Sequence, residues 1–185
     1  MRILGISGSL RRESYNTKLL KTAAELMLGD IELEIWDGLK AVPPYDEDDD
    51  RDPAPAGAQR LREAIAGADA VLLATPEYNS SLPGQLKNAI DWASRPVATN
   101  VLRNKPVAVV GASTSMFGAV WAQAELRKVL AATGARVLEG ELPVAHAQTL
   151  FDGDRLQDDE LRARLAEIVY GLVGETVAAS VPVPA

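Results

Sequence analysis

Three polar stretches carry the residue types that can do chemistry, and each directly follows an apolar run. The first is Ser7-Gly8-Ser9-Leu10-Arg11-Arg12-Glu13-Ser14-Tyr15-Asn16-Thr17. Its hydroxyls, its two arginines and a following helix start would let backbone N–H groups, the positive end of the helix dipole and side-chain donors converge on one phosphate. It lacks the G-x-x-x-x-G-K-[ST] lysine of a nucleoside triphosphate loop and the G-x-G-x-x-G of a dinucleotide fingerprint, so a terminal phosphate monoester fits better. A bland alternative, a Ser- or Asn-capped helix start, explains Ser14 or Asn16 but neither the arginines nor all the hydroxyls. The second stretch, Pro76-Glu77-Tyr78-Asn79-Ser80-Ser81-Leu82-Pro83-Gly84, has two prolines that stiffen the chain and leave a polar backbone edge suited to a flat heterocycle. It also reads as a turn followed by a Ser-capped helix. The third is Gly111-Ala112-Ser113-Thr114-Ser115.

Other chemistries are excluded by composition. Zero cysteines remove disulfides, thiolate metal sites and cysteine nucleophiles, and a single histidine, His146, removes multi-histidine metal sites. His146 reads as a packed or exposed loop residue, with acid catalysis as the alternative. A balance of 19 Lys plus Arg against 26 Asp plus Glu, net charge −7, argues against a nucleic-acid partner. Any bound anion must be gathered locally. No apolar run is long enough for a membrane span and the N-terminus lacks a signal-peptide pattern, so the expected location is cytoplasmic with no membrane partner. The acidic run Asp46-Glu47-Asp48-Asp49-Asp50 reads as a solvated loop.

The elements that must position these stretches alternate. Apolar runs at Met1 to Ile6, Ala70 to Ala74 and Val107 to Val110, an alternating segment at Ile31, Leu33 and Ile35, and Arg136-Val137-Leu138 predict five strands. Helical spacing of Leu19, Leu20, Ala23 and Ala24, of Ala58, Leu61 and Ile65, of Leu82, Leu86 and Ile90, of Ala122, Leu126 and Leu130, and of Leu161, Leu165, Ile168 and Leu172 predicts five helices. A chain of 185 residues with 47% hydrophobic residues can form one core. We expect an α/β three-layer sandwich with a five-stranded parallel sheet of order 2-1-3-4-5, residues 1–178 forming a single domain and 179–185 a disordered tail. Ligands in such folds sit beyond the strand C-termini where the strand order reverses, which selects the same three stretches.

At this point the residues resemble a known family. Gly8-Ser9-Leu10-Arg11 with Ser14 and Asn16, then Pro76-Glu77-Tyr78-Asn79 with Ser81, Pro83-Gly84, Leu86-Lys87-Asn88 and Ile90-Asp91-Trp92, are similar to the flavodoxin-like NADPH-dependent FMN reductases, the group that includes chromate and quinone reductases and azoreductases. The resemblance runs in register from about residue 1 to 175. It implies non-covalent FMN, NADPH or NADH as electron donor, a small-molecule electron acceptor (quinone, azo compound, chromate or free flavin), and a homodimer or homotetramer. Carried over by position, Ser9, Arg11, Ser14, Asn16 and Thr17 would hold the FMN phosphate; Pro76, Glu77, Tyr78 and Asn79 would line the ring and ribityl chain; Ser113 would close the pocket. The flavin would carry the redox chemistry, so no catalytic side chain is nominated.

The third stretch departs from the family's usual G-A-S-x-G, with Ser115 at the last place, where a Gly-only backbone angle would be strained. Trp92, Trp121 and Phe117 read as core or interface aromatics, and only Tyr78 is placed at the site. Arg12, Arg95, Arg103 and Lys105 are the candidates for reading a 2′-phosphate. Two other functions are weighed: a flavodoxin-type electron carrier, disfavoured by Arg11 and the 5% aromatic content, and a binding module that has lost FMN, disfavoured by the intact first two motifs.

Overall fold

Central strands that are apolar on both faces sort the protein into three layers. In the computed structural model, which describes residues 1–180, β1 (Arg2–Ser7), β2 (Glu32–Trp36), β3 (Ala70–Thr75) and β4 (Pro106–Ala112) form a parallel sheet in the order β2-β1-β3-β4. The register aligns Leu4 with Val71 and Val71 with Val107 on one face, and Leu72 with Ala108 on the other. Side chains of a strand alternate between faces, so each strand feeds two cores.

On one face Leu4, Ile6, Val71, Leu73, Val107 and Val109 meet α2 (Ala56–Ala66), α3 (Gly84–Ala93) and α4 (Val120–Ala132). On the opposite face Ile3, Ala70, Leu72, Ala74, Ala108, Val110 and Ala112 meet α1 (Tyr15–Glu25) and α5 (Asp159–Ser180). Alanines dominate this second face, which lets those helices lie close to the sheet. Burial of β3 and β4 along their whole lengths explains why their sequences read as unbroken apolar runs.

The edge beyond β4 is more divided than the sequence suggests. The fifth position in the order is filled first by β5 (Arg136–Val137), paired with the start of β4, and then by β6 (Pro143–Val144), paired with its end at Gly111 and Ala112. The expected strand at 136–138 is therefore one half of an interrupted edge. Pro143 lies at that edge, where a missing N–H costs least. The second half matters for the site because Ser113 N–H donates to Val144 O at 3.0 Å.

A hairpin that periodicity does not reveal, β7 (Phe151–Asp152) with β8 (Arg155–Leu156), folds onto α1. Two-residue strands are too short to show a repeat. The Phe151 ring packs 5.6 Å from that of Tyr15, Lys18 Nζ donates to Gly153 O at 2.8 Å, and Lys21 Nζ donates to Asp154 Oδ2 at 2.6 Å. Helix α5 extends through Ser180, and the remainder of the expected tail, 181–185, lies outside the described residues. Among the described residues no helix is long and apolar enough to cross a membrane.

The hydrogen bond from Lys21 holds the Asp154 carboxyl below the usual aspartate range, with Lys18 adding to the effect. A depressed carboxylate contributes stability above its unfolded pKa and loses it as pH falls through the folded value. The pairs are solvent-exposed, so global stability should barely move. Local exchange is the sensitive readout: amide protection factors in 150–157, taken against the intrinsic exchange rate at each pH, should fall on acidification below the ordinary aspartate range, and Asp154→Asn should show that lower protection already at neutral pH.

Candidate functional site

The three polar stretches meet at the C-terminal edge of the sheet. They enclose a cleft of about 110 Å³ lined by Ser9, Arg11, Ser14, Tyr15, Asn16, Pro76, Glu77, Tyr78, Ala112, Ser113 and Thr114. Eight of the ten expected site residues are in this lining. Thr17 is not; its side chain borders a neighbouring cleft on the other side of the first loop, while its N–H donates to Ser14 Oγ at 3.3 Å. Asn79 is not either, for a backbone reason given below.

The first loop is built around the start of α1. Ser14 is the N-cap residue in extended conformation, and the Tyr15 and Asn16 N–H groups that follow have no hydrogen-bond partner among the described residues. Such N–H groups, with the helix dipole behind them, attract an anion. Gly8 brings the loop close to the second one: its N–H donates to Ala74 O at 2.8 Å, and a Cβ there would stand 2.8 Å from Leu86 Cδ2 and 3.3 Å from Pro76 Cδ. Arg11 is exposed and makes no ion pair among the described residues. A free guanidinium, two unpartnered N–H groups and the hydroxyls of Ser9 and Ser14 form a donor set that fits a phosphate monoester.

Asn16 works differently from its neighbours. Its side chain is buried and engaged with both backbone groups of one residue: Nδ2 donates to Ala112 O at 2.9 Å, and Oδ1 accepts from Ala112 N–H at 2.9 Å. The amide thus ties the first loop to the end of β4. Its backbone N–H, rather than its side chain, is left available to a ligand.

The second loop turns sharply. Tyr78 and Ser81 exchange two backbone hydrogen bonds, N–H to O at 3.0 and 3.1 Å, around Asn79 and Ser80, whose φ values are +53° and +60°. A two-residue hairpin turn with both central residues left-handed favours Asn at its first position. Asn79 shapes the turn at its exposed tip. The Ser-capped start expected for α3 does not form: Pro83 precedes the helix without a side-chain cap, and Ser81 Oγ instead donates to Glu125 Oε2 at 2.5 Å.

Glu77 supplies a cap to another helix. Its Oε2 accepts from the N–H groups of Trp121 and Ala122 at 3.0 and 3.1 Å, the first turn of α4, where Ala119 occupies the cap position with φ +63° and no side-chain bond of its own. The carboxylate meets the positive end of that helix. Tyr78 lines the cleft and is 51% exposed, while Phe117 and Trp121, 47% and 45% exposed with their rings 4.6 Å apart, lie outside its lining at the start of α4 that Glu77 caps. Sequence spacing left the last two as core or interface; Glu77 is what brings Trp121 beside the second loop.

Ser115 is not strained. The non-glycine residues with positive φ among those described are Asn79, Ser80, Asn104, Ala119 and His146, so the left-handed step of the third loop falls at Gly118 and Ala119. Ser113 Oγ accepts from Ser115 N–H at 3.1 Å and closes the turn. His146 is exposed and donates its backbone N–H to Ser115 O at 3.1 Å.

Two variants separate scaffolding from binding. Asn16→Ala leaves both backbone polar groups of buried Ala112 unpaired and should cost roughly 2 to 4 kcal/mol, read by urea unfolding. Glu77→Ala should lose about 0.5 to 2 kcal/mol, as other lost helix caps do, with Glu77→Gln losing less because an acceptor oxygen remains.

The comparisons agree with this geometry. The family model for NADPH-dependent FMN reductases matches residues 1–149. An NAD(P)H-dependent FMN reductase of Pseudomonas aeruginosa is 42% identical, with 93% of each chain covered. A 2-hydroxy-1,4-benzoquinone reductase of a Burkholderia species is 38% identical over 83% of this chain and 84% of its own. The solved structure of FerB, a flavoenzyme NAD(P)H:(acceptor) oxidoreductase from Paracoccus denitrificans, superposes with a TM-score of 0.83 at 35% identity, covering 96% of this chain and 97% of that one. With the matching sequence motifs brought to one cleft and the fold shared, this chain belongs to the NADPH-dependent FMN reductase family.

Proposed function

We propose that residues 1–178 act as one FMN-binding domain that oxidises NAD(P)H and reduces a quinone. The observation that carries this reading is the pairing, in one cleft, of a phosphate-shaped donor set at α1 with the second-loop wall of Pro76, Glu77 and exposed Tyr78, next to which Glu77 holds the start of α4 with the exposed Phe117 and Trp121 rings as an aromatic border. FMN, when bound, supplies the redox chemistry by accepting hydride from the nicotinamide and returning two electrons to the acceptor. The residues of the protein do the positioning. Arg11, Ser9, Ser14 and the Tyr15 and Asn16 N–H groups grip the phosphate, while Pro76, Glu77, Tyr78 and Ser113 set the wall for the ring. Glu77 holds the second loop against α4, so the wall does not depend on the turn alone.

The aromatic border selects among acceptors. A flat, weakly solvated quinone gains from stacking and apolar burial there, whereas a compact oxyanion such as chromate gains little. Azo compounds and free flavin are also planar and belong to the same reading as secondary acceptors. The names of two relatives support the quinone: the Burkholderia protein is called a 2-hydroxy-1,4-benzoquinone reductase, and one from Pseudomonas putida, 37% identical, a quinone reductase. A homodimer or homotetramer assembled through α3 and α4 belongs to the same proposal, with part of this apolar border available to a second copy.

The test begins with the visible spectrum of the FMN-loaded protein under anaerobic conditions. Bleaching by NADPH or NADH, reversed by a benzoquinone, is the expected result; flavin that stays yellow with both nucleotides would favour a carrier reduced by a protein partner. Arg11→Ala with Ser9→Ala should weaken FMN by about 3 kcal/mol, on the order of a hundredfold, while riboflavin, which has no phosphate, changes far less. Equal losses for the two flavins would overturn the phosphate assignment.

A further inference from the structure

The first loop has a second side. Between it and the turn that follows β2 lies another cleft, of about 280 Å³, bordered by Ser9, Arg11, Arg12, Trp36, Asp37 and Lys40 among others. Ser9 and Arg11 line both clefts, so the two adjoin. Three cations face one carboxylate in this second lining, on a chain whose net charge is −7. None of Arg11, Arg12 and Lys40 has an ion pair among the described residues. Elsewhere many of the protein's cations are neutralised, as Arg62 is by Asp50 at 2.8 Å and Lys87 by Asp91 at 2.6 Å. Uncompensated charge gathered in a cleft is the signature of a polyanionic ligand.

The topology narrows which anion. In a parallel sheet every loop that follows a strand lies at one edge and every loop that precedes a strand lies at the other. Arg103 and Lys105 precede β4, and Lys105 Nζ donates to Ala68 O just before β3, at 2.5 Å. Arg95 follows the end of α3 and so lies at that same far edge. Of the cations the sequence offered for a 2′-phosphate, Arg12 alone stands at the edge of the flavin cleft. The fold adds Lys40, in the short turn Gly38–Ala41 after β2, which no spacing in the sequence connects to Arg12.

The cleft also has an apolar wall. Trp36, Leu10 and Leu39 contribute to it, and Gly38 lies so close to the Trp36 ring that a Cβ there would stand 2.5 Å from Cζ2. From β2 to β4 is three strand spacings, on the order of 14 Å, a distance an extended dinucleotide can bridge.

We propose that this second cleft receives the 2′-phosphoadenosine end of NADPH, with Arg12 and Lys40 holding the 2′-phosphate and Leu10 and Trp36 offering a face to the purine. The assignment rests on the FMN reductase reading and extends it to the choice of donor. Arg11 and Ser9, shared between the clefts, mark the path along which the nucleotide crosses from the flavin side. Selectivity for NADPH over NADH then comes from two side chains that do not line the flavin cleft.

The experiment uses FMN-loaded protein and two probes, 2′,5′-ADP and 5′-ADP, titrated calorimetrically into wild type, Arg12→Ala and Lys40→Ala. Both substituted side chains are exposed, so the variants should fold normally. The expected result is that 2′,5′-ADP binds roughly tenfold or more tightly than 5′-ADP, and that either substitution erases most of the difference. In steady-state kinetics the KM for NADPH should rise about tenfold while the KM for NADH and the Kd for FMN stay unchanged. Equal binding of the two probes to wild type, an equal rise in both KM values, or a weakened FMN in either variant would overturn the proposal, the last by assigning the cleft to the flavin. Failure of wild type to oxidise either nucleotide would sink the reductase reading instead, and the calorimetric comparison would still decide whether the cleft recognises a 2′-phosphate.

Discussion

A single side-chain amide joins the parts of this site that are farthest apart in sequence. Asn16, at the start of α1, both donates to and accepts from the Ala112 backbone at the end of β4, 96 positions away, with both bonds buried. The unpartnered N–H groups of Tyr15 and Asn16 and the Ser113-Thr114 wall owe their relative placement to it. The amide satisfies both backbone polar groups of Ala112 at once, and burial makes each group expensive to leave unpaired. The bond pair therefore acts as a register pin between first and third loops.

Glu77 makes the corresponding link on the other side of the cleft. Helix α4 starts after two residues in left-handed conformation, Gly118 and Ala119, with no capping side chain of its own. Two of its N–H groups, those of Trp121 and Ala122, are satisfied by a carboxylate from the second loop, which fixes the start of α4 beside that loop. Together Asn16 and Glu77 connect all three loops through one side-chain bond system each, while the sheet beneath supplies the rigid base.

Electrostatics adds a further division of labour. The chain is acidic overall, yet the edge above β1 and β2 presents Arg11, Arg12 and Lys40. Local concentration of cations gives an acidic protein a positive patch without making its whole surface attractive to polyanions. The interrupted edge strand serves the same end of the molecule differently: β6 pairs with the last residues of β4 and receives the Ser113 N–H, so the third loop is anchored on the side away from Asn16.

Much of this was legible in the amino-acid order, because the signals involved are local. Apolar runs at 70–74 and 107–110 follow from strands buried on both faces, helical spacing follows from one buried stripe, and the hydroxyl- and arginine-rich loop before α1 announces an anion site by composition alone. The sheet order and the roles of Ser9, Arg11, Ser14 and Pro76 as cleft residues needed nothing more. What the sequence could not show is how cleft residues also serve the scaffold: Asn16 and Glu77 line the cleft, and their bonds to 112, 121 and 122 exist only in the fold. The hairpin at 151–156 and the split edge strand consist of two-residue segments, too short for a period. Lys40 and Arg12 share a cleft only because parallel pairing sets β2 beside β1. Local chemistry and periodicity are written along the chain, whereas partnership between distant residues exists only once the chain has folded.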